Sequence, residues 1–99
     1  MAKFCLILLC PPAVEEKLFD LLLTASDTDV FTSTSASTHG LAHDGLSSTD
    51  QVLGRSASAQ IQTILDEADV EPLLAKLRSD FRGAGVRYWA YPLALEGEI

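Results

Sequence analysis

The two histidines of the chain, His39 and His43, lie four residues apart near the middle of the sequence, and Asp44 follows the second. Neutral imidazoles and a carboxylate suit Zn, Cu, Ni or Co ions, and a helical turn would place both rings on one face. Two interpretations stay open. The three side chains form a divalent transition-metal site, completed by a ligand from another subunit, or the histidines are solvated and titrate near neutral pH.

The two cysteines are the other residues with ligand or nucleophile chemistry. Cys5 and Cys10 have opposite parity in an apolar run, so a strand would point them to opposite faces. A shared metal site within one chain is therefore unfavourable, and we interpret both as buried, unreactive thiols. The sequence also has no Walker loop and no nucleophile with a plausible base, which predicts that the protein is not an enzyme.

Length and charge narrow the class of protein further. The chain of 99 residues suits one domain, 1–99, with a modest core. Its net charge of −7 argues against nucleic acid, because phosphate binding draws most of its affinity from Lys and Arg. The apolar run after Lys3 is too short for a membrane span and weak as an export signal. Two cysteines fit a reducing compartment, so a cytoplasmic location is expected.

The histidines belong to a polar stretch, residues 38–55, that is predicted to be a long loop between two strand–helix pairs. The predicted elements are a strand at 3–9, a helix at 12–24, an edge strand at 29–38, a strand at 56–66, a helix capped by Asp69 and ended by Gly83 and Gly85, and a strand at 86–92. The strands on either side of the loop are expected to pair as a long hairpin.

This order predicts an α+β protein with the ferredoxin-like β-α-β-β-α-β fold, a four-stranded antiparallel sheet with two helices on one face. The first strand is apolar on both of its faces, which is typical of a central strand covered on both sides. The helices would cover one face only. The other face is expected to meet another copy of the chain.

Four stretches of the sequence carry a family resemblance. They are residues 10–18, His39-Gly40 with His43, residues 50–55, and residues 77–89 with the following Tyr91-Pro92. On these motifs, which extend almost end to end, the chain resembles the PII-like signalling superfamily. Within it, the chain is most similar to an uncharacterised proteobacterial group encoded near heavy-metal efflux systems. Members of the superfamily are trimeric ferredoxin-like proteins whose long loop between strands two and three meets partners.

The resemblance implies a homotrimer whose 38–55 loop binds a partner, such as a membrane transporter. It also implies an anion-binding cleft between subunits, formed by Arg55, Arg82 and Arg87. Ordinary salt bridges on an acidic protein are the alternative for these arginines. Two departures from the PII proteins that bind ATP, the short link after residue 81 and the acidic tail at 95–99, argue against nucleotide binding of the ordinary PII type.

The leading prediction is a non-enzymatic PII-like regulatory trimer that binds a small molecule or a metal ion and signals through the 38–55 loop. One alternative is a metal-binding accessory protein of a heavy-metal efflux system, with His39, His43 and Asp44 as ligands. A second alternative is a structural interaction module, whose loop would be ordered without any ligand.

Overall fold

The computed structural model describes residues 2–25, 30–40 and 55–99. The elements are strand β1 (Lys3–Cys10), a 3-10 turn (Pro12–Val14), helix α1 (Glu15–Thr24), strands β2 (Phe31–His39) and β3 (Arg55–Asp66), helix α2 (Glu67–Phe81) and strand β4 (Arg87–Leu93). The strands form one antiparallel sheet in the order β2-β3-β1-β4. This confirms the predicted ferredoxin-like β-α-β-β-α-β fold.

Strand β1 lies at the centre of the domain because both of its faces are apolar. Leu6 and Leu8 are completely buried in the cluster that joins the sheet to the helices, and Cys10 follows them on that face. Cys5 and Ile7 have the opposite parity and are buried on the face that carries no helix. The predicted opposite orientation and burial of the two cysteines are thus confirmed, and both thiols are free.

Both helices bury a leucine stripe against this sheet. Leu18 and Leu22 of α1 are fully buried, four residues apart as one helical face requires. Helix α2 buries Leu73, Leu74 and Leu77 in the same way. The core of the domain is therefore aliphatic, and it occupies only the space between the helices and one face of the sheet.

The start of α2 differs from the prediction that Asp69 caps it. The helix begins at Glu67, directly after β3, and Asp66 occupies the cap position without a side-chain capping bond. Its carboxylate instead pairs with the Lys3 amine at 3.0 Å, and the Glu67 N–H donates to the Ala2 carbonyl at 3.0 Å. These contacts with the start of β1 fix an earlier first turn, which leaves Pro72 inside the helix.

The face of the sheet opposite the helices carries large apolar side chains with no helix over them. Trp89 and Tyr91 of β4 are each 43% exposed, and Ile64 of β3 is 42% exposed. Between them, the Cys5 thiol donates a weak hydrogen bond to the Gln62 side-chain oxygen at 3.8 Å. A hydrogen bond with Cys5 also raises the pKa of the Tyr91 phenol. We call this surface the uncovered face.

Strand β3 is longer than the part of it that β1 covers. It pairs with β2 from Arg55 to Thr63, but with β1 only from Ala59 to Asp66. Residues 36–39 and 55–58 therefore form a two-stranded ribbon that extends beyond the sheet. This confirms the predicted hairpin pairing, although most of the predicted 38–55 loop lies outside the described residues.

None of the helices in the described ranges combines the length and the apolar character needed to cross a bilayer.

Candidate functional site

A cleft of about 440 Å³ opens where β1 ends and the two-stranded ribbon begins. Strand β1 stops at Cys10 because Pro11 and Pro12 have no N–H to donate to a neighbouring strand. The chain turns away there, with the Val14 N–H donating to the Pro11 carbonyl at 3.2 Å. Residues 55–58 of β3 therefore have no strand beside them on the β1 side, and the cleft occupies that space.

Three segments contribute the walls of this cleft. The lining residues are Leu9, Cys10 and Pro11 from the end of β1, Thr38, Ser56, Ala57 and Ser58 from the ribbon, and Gly85, Val86 and Arg87 from the start of β4. The Thr38 and Ser58 hydroxyls hydrogen-bond to each other across the ribbon. Hydroxyl groups and one guanidinium can donate hydrogen bonds to an anion, so the polar part of the cleft suits a small anionic ligand.

The cysteine in the cleft wall is a protonated thiol at neutral pH. Burial, and then the nearby Glu15 carboxylate, raise the pKa of the Cys10 thiol above its ordinary value. The side chain is only 2% exposed. A neutral thiol does not repel an anion as a thiolate would, and it is a poor nucleophile. Cys10 therefore contributes an uncharged wall and no reaction.

Gly85 lies between this cleft and the α2 side of the sheet, and its backbone requires glycine. Its φ of +83° lies in the left-handed region, and a Cβ built on it would meet the Pro11 Cγ at 3.3 Å. Gly83 also has a positive φ, of +77°, but a Cβ there would meet nothing within 4 Å. The two glycines hence differ in packing and share the backbone requirement.

We expect Gly85→Ala to lower the free energy of unfolding by more than Gly83→Ala does. Gly83→Ala should cost about 1 kcal/mol from left-handed strain alone, and Gly85→Ala adds the contact with Pro11. Urea unfolding at a fixed chain concentration measures both. Gly97→Ala is the control, because Gly97 has no positive φ and no neighbour within 4 Å. Equal losses for Gly83 and Gly85 would contradict the role of the Pro11 contact.

The three predicted anion-binding arginines lie at different places in one chain. Arg87 lines the cleft, opposite Leu9 in the β1–β4 register. Arg82 follows α2 and lines a separate groove on the helix side. Arg55 begins β3 and pairs with His39 in the ribbon, outside the cleft lining. In the described part of the chain, none of the three forms an ion pair. Their convergence between subunits stays a prediction.

The predicted metal ligands are only partly described. His39 is exposed at the end of β2, and its cross-strand neighbour is Arg55. His43 and Asp44 lie outside the described residues. Within the ranges 2–25, 30–40 and 55–99, no three His, Cys, Asp or Glu side chains group as a metal site would require. The predicted site of His39, His43 and Asp44 stays a prediction.

Sequence reasoning missed the hydroxyl-bearing wall of the cleft. The sequence predicted Thr38 at the boundary between the edge strand and the loop, and Ser56 to Ser58 at the start of the next strand, but it assigned none of these hydroxyls to a binding site. The useful signal was the Pro11-Pro12 pair, which ends β1 while the longer hairpin continues. That mismatch in strand length predicts a gap beside the hairpin, and the Ser and Thr residues line it.

The strand order β2-β3-β1-β4, with both helices packed on one face, defines the ferredoxin-like fold. The chain belongs to the DUF3240 family, described as proteins of unknown function, whose profile matches residues 1–99. No curated protein matches the chain.

Solved structures with the same fold cover all or nearly all of the chain. A DUF3240 family protein from Shewanella baltica OS155 superposes with a TM-score of 0.83 at 15% identity, covering 100% of this chain and 98% of that one. CPII, a nitrogen regulatory PII-like protein from Thiomonas intermedia K12 bound to ADP, AMP and bicarbonate, gives 0.76 at 21% identity, with coverage of 100% and 98%. The Bacillus subtilis GlnK–ATP complex gives 0.71 at 14% identity, with coverage of 94% and 83%. Identities this low establish the fold alone.

Proposed function

We propose that this chain is a non-enzymatic PII-like regulatory protein that binds a small anionic ligand in the cleft at the end of β1 and signals through the 38–55 loop. The observation that carries the proposal is the position of the cleft: Thr38 and Ser56, at its wall, lead directly into and out of the loop. A ligand that bonds these residues changes the free energy of ordering the loop. The partner that the loop contacts is a protein, such as a membrane transporter.

The uncovered face supports the trimer within this proposal. Exposed Trp89, Tyr91 and Ile64 form an apolar surface on a small protein, and other copies of the chain can bury it. A closed ring of three copies would also place a second chain beside the cleft, where Arg55 or Arg82 of that copy can join Arg87. The two free, buried cysteines fit a reducing compartment, which supports a cytoplasmic location.

The Arg87 guanidinium is the charged group that the ligand would meet. We expect Arg87→Gln to weaken ligand binding about tenfold or more, because a hydrogen bond to a charged group is lost. The probes are bicarbonate, AMP, ADP, ATP and inorganic phosphate, tested by thermal shift and then calorimetry. CPII was solved with ADP, AMP and bicarbonate, which makes these the first probes to test.

Lys76→Gln is the matched control for Arg87→Gln. It removes one positive charge from an exposed position on α2 and leaves the cleft lining intact. Any general effect of a more negative protein should appear in both variants. Equal weakening in both, or no probe that raises the melting temperature of the wild-type protein, would contradict the proposed anion site.

A divalent transition-metal ion is the alternative ligand, and it would make the protein a metal-binding accessory factor of heavy-metal efflux. The supporting observation is that His39 is exposed where the ribbon meets the loop. If this alternative holds, Zn, Cu, Ni or Co ions bind the wild-type protein, and His39→Ala with His43→Ala abolishes that binding. Calorimetry decides it: unchanged affinity in the double variant rejects the histidine site.

A further inference from the structure

A second depression, which we call the α2–β4 groove, lies on the helix side of the sheet and shares the lining residues Gly85 and Val86 with the cleft. Leu77, Phe81 and Val86 form its apolar floor, and Arg78, Arg82 and Tyr88 stand at its rim. Its volume is about 280 Å³. Sites for drug-sized ligands begin at about 300 Å³, so this groove suits one or two apolar side chains better than a nucleotide.

The C-terminal tail, residues 94–99, presents the complementary chemistry. Leu95 is 92% exposed and Ile99 is fully exposed, so the tail leaves two large apolar side chains in water. They alternate with Glu96 and Glu98, which an extended segment would point to the opposite side. The tail thus has an apolar edge and an acidic edge, and all of its residues, 94–99, are exposed.

The rim of the groove matches the acidic edge of the tail. Arg78, in the last turn of α2, and Arg82, directly after the helix, both line the groove and are both exposed. Arg82 has no ion pair in the part of the chain that the structure describes. Arg78 donates to an exposed Glu71 carboxylate at 3.4 Å and to the Tyr88 hydroxyl at 3.3 Å. An exposed pair of this kind is weak and exchangeable.

The geometry of β4 separates the groove from the tail of the same chain. Strand β4 begins beside the groove at Arg87 and Tyr88, and it ends at Leu93, opposite Lys3 at the far end of β1. Five residues of strand at about 3.3 Å each place these ends about 17 Å apart. The short tail would have to reverse and retrace the whole strand to reach its own groove. A tail from another copy has no such constraint.

We propose that the tail of one copy docks in the α2–β4 groove of the next copy, with Leu95 or Ile99 on the apolar floor and Glu96 and Glu98 at Arg78 and Arg82. Contacts of this head-to-tail kind form a ring when the rotation between successive copies closes, as it does in a trimer with three-fold symmetry. The docking shares with the proposed function the assembly of several copies, but it does not depend on the ligand.

Disulfide trapping between two single variants tests the docking. Glu98→Cys protein is mixed with Arg82→Cys protein that carries a tag of known mass, and the mixture is oxidised. The disulfide between the two variants is then identified by its mass and quantified. Lys76→Cys is the matched control, because it removes a positive charge from an exposed position outside the groove. Docking raises the effective concentration of the two thiols, so we expect about tenfold more mixed disulfide with Arg82→Cys than with Lys76→Cys.

Equal trapping at both positions, or none at Arg82→Cys, would overturn the docking. So would an Arg82→Cys/Glu98→Cys double variant that closes its disulfide within one chain. A charge-reversed pair provides a second test if a cysteine variant folds poorly. A labelled peptide of residues 93–99 should bind the Arg82→Glu protein more weakly than the wild-type protein. A peptide that carries Glu98→Arg should restore binding to the Arg82→Glu protein. Light scattering distinguishes failure of the docking from failure of the proposed trimer. If the wild-type protein is an oligomer but no mixed disulfide forms, the docking is rejected and the proposed trimer is not.

Discussion

A Trp89→Asp variant is expected to be a monomer under conditions in which the wild-type protein forms the proposed trimer. Trp89 is 43% exposed on the uncovered face of one chain, so an aspartate there is tolerated by the isolated domain. In the trimer it would place three carboxylates in an apolar interface. Loss of a tryptophan hot spot costs about 2 kcal/mol or more in each copy, which weakens assembly by about four orders of magnitude.

Light scattering at micromolar chain concentration measures this change against the chain mass of 10.7 kDa. Leu23→Asp is the control, because Leu23 is 72% exposed on α1, away from the uncovered face. The control should assemble as the wild-type protein does. A wild-type protein that is already a monomer, or a Trp89→Asp trimer, would remove the uncovered face from the assembly.

Leu6→Ala is expected to lower the free energy of unfolding by about 2–5 kcal/mol, the range for a leucine truncated in a packed core. Leu6 is completely buried in the cluster between the helices and the central strand. The cavity would open opposite both Thr63 and Ala90, its cross-strand neighbours, and strands cannot close it without breaking their register.

Denaturant unfolding at one fixed chain concentration measures this loss, because assembly contributes to apparent stability. Leu23→Ala removes the same atoms from an exposed position and should change the free energy of unfolding by less than about 0.5 kcal/mol. A Leu6→Ala loss as small as that of Leu23→Ala would mean that β1 is not the centre of the core.

The main features of the fold follow from local patterns in the sequence. The doubly apolar run at 3–9 predicted a central strand, and β1 has a neighbour on each side. Two leucine stripes at helical spacing predicted both helices. Strand β4, predicted at 86–92, lies at the edge of the sheet, where the missing N–H of Pro92 is tolerated. These features depend on periodicity, which a single sequence displays directly.

Features set by contacts distant in sequence were harder to predict. Asp69 is a residue type that commonly caps helices. Helix α2 nevertheless begins earlier, because Lys3 pairs with Asp66 and the Glu67 N–H donates to the Ala2 carbonyl. The edge strand β2 carries a weak signal of its own. It is held by pairing with β3 and by the stacking of Phe31 on Phe19, with ring centroids 5.7 Å apart.

The candidate site was the least predictable part of the structure, because residue types alone do not show which segments line the same cavity. Arg82 and Arg87 are close in sequence, yet they line depressions on different sides of the sheet. Only Arg87 was both predicted and found in the cleft. Thr38 and Ser58, which line the same cleft, come from the two arms of the β2–β3 hairpin, and their proximity depends on the strand register.

The unequal lengths of β1 and β3 have a consequence for the affinity of any ligand. A two-stranded hairpin without further neighbours is marginally stable in water, so amide hydrogens at 36–39 and 55–58 should exchange with solvent sooner than those at 59–66. Part of the binding free energy then goes into immobilising that segment. Substitutions that stiffen this segment without touching the ligand would tighten binding, so the response threshold of the proposed regulator can be adjusted there while the cavity stays unchanged.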